Sequence, residues 1–90
     1  MMHIDYTVQI WKEGRQFVAH AMPLDVASSE STVEAVREAL DEAVRLFVAT
    51  CAEMGTLDEV LEEAGYERDR NEWQSPEWFG LERRELALGV

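Results

Sequence analysis

Carboxylates are the residues of this chain best placed to do chemistry, since nineteen of its ninety residues are Asp or Glu. Three or four acids converging on strand ends and a helix would hold paired magnesium ions for phosphodiester cleavage. The spacing argues against that arrangement. The strand-like stretches supply only Asp5 and Asp25, expected at opposite ends of a sheet, and Glu34, Glu38, Asp41 and Glu42 recur along one solvent stripe of a helix. His3, His20 and Asp5 fall on one strand face, but at no spacing characteristic of a metal site. Cys51 is the only cysteine. It sits on an apolar helical face with no base near it in sequence, the setting of an inert buried thiol. A single cysteine also excludes an intramolecular disulfide and a cysteine-based zinc site. These residues predict a protein without catalytic activity, resident metal or cofactor.

Aromatic side chains are the other candidates. Trp73, Trp78 and Phe79 cluster near the C-terminus, and Trp11 stands on a strand of mixed polarity. They either fold back over the core or anchor a partner, since aromatics dominate interface hot spots.

The elements that position these residues follow from periodicity. Ser31 to Met54 reads as one long amphipathic helix. Ser31 and Glu34 have capping-box spacing, and Val33, Val36, Leu40, Val44, Phe47 and Cys51 share a face. The polar stripe opposite stops where Val48, Ala49 and Ala52 would continue it, so the second half of the helix is expected to be covered on all sides. Gly55 is the natural left-handed stop.

Before the helix, Ile4 to Trp11 alternates as a half-buried strand. Lys12 to Arg15 makes a turn around Gly14, and Arg15 to Met22 returns as a second strand. An even-length loop puts Tyr6, Val8 and Ile10 on one face with Phe17, Ala19 and Ala21. An odd loop would mix apolar residues with Gln16 and His20, because a one-residue slip flips every side chain. The apolar face is taken to lie under the helix. Pro23 ends the strand or marks a bulge, and Asp25 to Ser29 can form a short third strand. After Gly55, Thr56 and Glu59 repeat the capping spacing and open a short second helix closed by Gly65. Tyr66 to Glu72 is charged and reads as a loop. Ser75-Pro76 has the form of a helix start, and Leu86, Leu88 and Val90 alternate as a terminal strand. The expected fold is α+β: a three-stranded antiparallel sheet, optionally with a fourth C-terminal strand, one long helix on one face, and a second short helix. Residues 1–65 form the core and 66–90 an extension of the same domain.

The formal net charge is −11. That field repels phosphate backbones and suits a basic protein partner. No basic region followed by an apolar run opens the chain, and the run Leu46 to Ala52 is too short to span a bilayer. A cytoplasmic protein that binds neither nucleic acid directly nor membrane is expected.

The ordered pieces Tyr6-Thr7-Val8-Gln9-Ile10, Phe17-Val18-Ala19, Ser31-Thr32-Val33-Glu34-Ala35 leading to Leu40 and Glu42-Ala43-Val44, and the Gly55 to Gly65 segment resemble the HicB-like antitoxin family. The resemblance covers roughly Tyr6 to Gly65. It departs at the corner after the second strand, where only Met22-Pro23-Leu24-Asp25 remains of a proline- and glycine-rich turn, and at Glu30, where a glycine is common. It implies a degenerate ribonuclease H-like fold, a small sheet with a helix on one face. It also implies steric blockade of a small basic mRNA-cleaving toxin. The residues after Gly65 spell neither of the DNA-binding modules that many relatives append, so repression of its own operon is not implied.

The apolar surfaces at Val48 and Ala52 and on Leu86 and Leu88 exceed what one small sheet can cover. They predict self-association as a homodimer.

Overall fold

The computed structural model describes residues 2–89. The chain runs β1 (His3–Ile4), β2 (Thr7–Glu13), β3 (Gln16–Met22), β4 (Val26–Glu30), α1 (Val33–Met54), α2 (Leu57–Glu63), β5 (Glu67–Asp69) and β6 (Glu72–Gln74). The fold is α+β, as the periodicity indicates. Strands β2, β3 and β4 form one antiparallel sheet, with β3 at the centre. The long helix lies over β4 and β3.

The hairpin register is that of the even loop. Val8 pairs with Ala21, Ile10 with Ala19, and Lys12 with Phe17; Glu13 and Gln16 close a two-residue turn. Gly14 supplies the positive φ at the first turn position (59°), which suits the twist of the flanking strands. Ala19 and Ala21 are fully buried beneath Val36, Leu40 and Val44 of α1. Small side chains on the central strand let the helix approach closely while these larger residues fill the interface. His20 pairs with Gln9 and Ala27 on the opposite face.

The expected first strand is broken in two. Asp5 and Tyr6 leave the ladder, and His3–Ile4 join a second sheet of order β1-β6-β5, in which β1 runs parallel to β6. Tyr66 Oη donates to the Asp5 carbonyl (2.6 Å) and Asp5 N donates to the Trp73 carbonyl (3.4 Å). The backbone at Asp5 is thus drawn toward the C-terminal part of the chain. Because β1 and β2 lie on one line of chain, the two sheets meet at this junction.

Residues 66–74 are therefore not the expected loop. They form a hairpin, turned by Arg70 at a positive φ (58°), and they bring Tyr66 and Trp73 into the main core. Charge on Glu67, Arg68, Asp69 and Glu72 disguised it, because only alternate residues of so short a hairpin need be apolar. The core thus continues past Gly65 into the extension.

Other boundaries shift. The third strand begins at Val26, since Asp25 adopts the left-handed conformation (φ 61°) and its N–H donates to the Ala21 carbonyl (2.8 Å). Helix α1 is capped by Thr32, whose Oγ1 accepts from Ala35 N (3.0 Å), rather than by Ser31. The Thr56 hydroxyl makes no N-cap bond and instead donates to the Cys51 carbonyl (3.4 Å). Gly55 is the left-handed stop of α1 (φ 73°). Its second half is less covered than expected: Cys51 is buried and Val48 half-buried, but Ala49 and Ala52 face solvent. No helix follows Pro76, and residues 75–89 have no regular structure. The terminal strand expected over Leu86 to Val90 is absent among the described residues, and Val90 lies outside them.

Candidate functional site

The sheet ends in a free edge at β2. In a two-residue hairpin the flanking residues exchange both backbone hydrogen bonds, and so does every second pair beyond them. Here those are Glu13–Gln16, Trp11–Val18, Gln9–His20 and Thr7–Met22. The alternate residues Lys12, Ile10 and Val8 therefore turn N–H and C=O away from β3. Among the described residues, no strand pairs with that side of β2.

Two grooves flank this edge. On the helix side, Tyr6, Val8, Ile10, Arg37, Leu40 and Asp41 line a cleft of about 360 Å³. It exists because α1 sits over β3 and β4 and leaves β2 partly uncovered. Tyr6 Oη donates to Asp41 Oδ1 (3.2 Å) across its floor. Burial, then that hydrogen bond and the Asp41 charge, raise the Tyr6 pKa, while nearby Arg45 opposes them. The second groove, about 500 Å³, lies between Thr7–Trp11 and a wall made by Trp78, Gly80 and Leu81.

The wall stands there because of Ser75. Its N–H and Oγ both donate to the Asp5 carboxylate, at 2.7 Å each. Strand β6 pairs with β1, His3 with Glu72 and Ile4 with Trp73, so the following residues continue alongside β2. The ladder fails at this point because the Ser75 N–H is spent on a side chain and Pro76 has none.

Of the four aromatic candidates, Trp11 (39% exposed) and Trp78 (47%) meet at this second groove, Phe79 (93%) projects into solvent, and Trp73 (2%) is core. Trp73 is thus corrected from a partner anchor to a packing residue; Arg68 lies over its ring at 5.6 Å. The signal that could have shown this is its place in an alternating Arg68–Trp73 hairpin pair. Of the self-association candidates, Val48 packs against the core, Ala52 is exposed, and Leu86 (84%) and Leu88 (74%) are uncovered. Tyr6, Val8 and Leu40 were read as core-facing residues, and their part in a cleft follows only from where the helix sits.

The acids and histidines are placed differently from expectation. Asp5 and Asp25 leave the sheet from the same end, because Thr7 pairs with Met22 and the chain returns on itself. Asp25 Oδ1 sits 2.5 Å from His20 Nε2, and the Trp11 ring meets the His20 ring edge-on at 6.4 Å. His3 belongs to the other sheet, where its backbone N donates to the Asn71 carbonyl (2.9 Å). His3, His20 and Asp5 are therefore not brought together, and no group of three His, Cys, Asp or Glu residues suited to a metal ion exists among the described residues. Cys51 is a buried free thiol.

No helix among the described residues is long and apolar enough to cross a membrane. No protein-family model, curated protein or solved structure matches the chain.

Proposed function

We propose that this chain is a non-catalytic, HicB-like antitoxin-type module that binds and blocks a small basic mRNA-cleaving toxin in the cytoplasm. The observation that carries this reading is the carboxylate display on the two helices. Glu34, Glu38, Asp41, Glu42 and Glu53 of α1, and Asp58, Glu59, Glu62 and Glu63 of α2, are all exposed. Asp41 and Asp58 meet Arg45 and Arg68; the α2 acids Glu59, Glu62 and Glu63 have no ion-pair partner among the described residues. A predominantly acidic surface, broken on these helices by Arg37 and Arg45, steers a basic protein in and disfavours nucleic acid. A small sheet with one helix on its face agrees with the fold that the family resemblance implies.

Co-expression with a small basic protein encoded beside this reading frame tests the proposal. The two should co-purify, and the complex should lose the RNA cleavage of the free toxin. Glu59→Lys with Glu62→Lys and Glu63→Lys should weaken capture at least tenfold and restore cleavage. Failure of any adjacent basic product to bind would overturn the reading.

A second reading, a stand-alone homo-oligomeric interaction module, is favoured by a different observation. Phe79, Leu81, Leu86 and Leu88 are all largely exposed on a segment without regular structure. Surface of that kind marks an interaction site.

A further inference from the structure

We propose that residues 75–81 are an intramolecular strap that shields the outer edge of β2 from the strands of other chains, latched at Asp5 and seated by Trp78. The inference goes beyond both readings above, since it concerns when the edge is open rather than what the chain binds.

Strand β2 needs such a cover. An edge strand offers unpaired N–H and C=O groups to any neighbour, and proteins blunt it with charge, proline, a bulge, short length or a covering segment. β2 is seven residues long and pairs with β3 one to one from end to end, without a bulge. It contains no proline, and its stretch Thr-Val-Gln-Ile-Trp carries no charge; Lys12 and Glu13 come only at the hairpin end. The other edge strand of this sheet, β4, is shorter and ends in Ser-Ser-Glu. For the uncharged part of β2, a covering segment is the device that remains.

Residues 75–81 are placed to supply it. β6 runs parallel to β1, and the Ile4–Trp73 alignment, carried onward, sets Trp78 beside Gln9 and Gly80 beside Trp11. Trp78, Gly80 and Leu81 do face residues 7–11 there, across a groove of about 500 Å³. An added strand would lie about 4.8 Å from β2, in the space that this segment flanks. The segment occupies that flank without joining the ladder, because Ser75 gives its N–H to Asp5 and Pro76 has none. Two attachments hold it. At the latch, both Ser75 donors bond the Asp5 carboxylate. At the seat, Trp78 is about half covered while its neighbour Phe79 is almost wholly exposed. The indole lines the groove and the phenyl ring does not. Neither Ser75 nor Trp78 belongs to the core cluster. A cover held in this way opens locally while the core stays folded.

Full-length chains carrying Asp5→Ala or Trp78→Ser test the strap at its two attachments. In sedimentation each should self-associate roughly tenfold more tightly than the native chain, the scale of losing a charge-assisted hydrogen-bond pair or an aromatic contact. Val8→Pro removes an outward N–H that β3 does not use. Added to either variant, it should return sedimentation to that of the native chain. In a Trp11→Phe background, Asp5→Ala should also make Trp78 easier to quench with acrylamide. Trp78→Ser should keep the native far-ultraviolet circular dichroism, because Trp78 lies outside the core; it decides the matter where Asp5→Ala unfolds. A Trp78→Ser chain that sediments as the native chain does would overturn the strap. Association that Val8→Pro leaves intact would place the new contact elsewhere and overturn it as well.

Discussion

The Asp5 carboxylate holds Ser75 by two hydrogen bonds, to its N–H and its hydroxyl, each 2.7 Å long. Seventy residues apart in sequence, the two fix where β2 begins and where the C-terminal segment departs. An acid that sequence reading considers as a metal ligand acts here as a clamp on chain direction.

Asp5→Ala should therefore destabilise the fold by roughly 1–2 kcal/mol, the scale of charge-assisted hydrogen bonds at a surface. Ser75→Ala should cost about half as much, because the backbone N–H remains bonded. Urea unfolding measures both. Equal effects of the two substitutions would show that the hydroxyl bond alone matters.

Core substitutions should rank by burial. Leu40 is almost wholly buried between sheet and helix, so Leu40→Ala should cost about 2–5 kcal/mol. Phe17 faces the helix side as the register requires, yet it is only half-buried at the hairpin tip, with Lys12 Nζ 5.7 Å from its ring. Phe17→Ala should cost roughly 1–3 kcal/mol, below the range for a fully buried ring. Thermal or urea unfolding that reversed this order would contradict the packing.

Stability should fall at high pH through Tyr66. Burial first, then the charge of Asp5 and the neighbouring Tyr6, push its pKa up to about 12 from an unfolded value near 10.0. A raised folded pKa means the folded state keeps a proton that the unfolded state releases. The stabilisation is complete below pH 10 and is lost as pH rises toward 12. Tyr66→Phe should flatten the decline across that window in unfolding measurements; an unchanged slope would show that other groups cause it.

Tryptophan fluorescence should separate the three indoles. In a Trp11→Phe/Trp78→Phe variant the remaining Trp73 should emit at short wavelength and resist acrylamide several-fold better than the native chain does. Ready quenching would place Trp73 at the surface.

Purified protein with magnesium or manganese should leave RNA intact. Asp5 gives both carboxylate oxygens to Ser75 and Asp25 gives one to His20, and among the described residues neither belongs to a group of three side chains suited to a metal ion. Reproducible cleavage that Asp5→Asn or Asp25→Asn abolished would overturn this.

Periodicity was sufficient for the α+β class, the long helix and the β2–β3 register. A helix face repeats every three or four residues and a strand face every two, and an error in register would expose every apolar residue at once. Gly14 and Gly55 marked a turn and a helix stop because few other residues adopt a positive φ at little cost. Local signals failed where a distant partner competed for the same atoms. Ser75-Pro76 has the chemistry of a helix start, but Asp5 takes the serine donors. The Thr56 hydroxyl bonds back to Cys51 instead of capping. Asp5 and Tyr6 alternate correctly for a strand, and tertiary bonds to Tyr66 and Trp73 break it. The free edge and its clefts were hidden for the same reason. They depend on the helix lying over β3 and β4 rather than over β2, and that offset is set by how Val36, Leu40 and Val44 seat on Ala19 and Ala21. No spacing along the chain encodes such a displacement; it emerges only when the two surfaces pack.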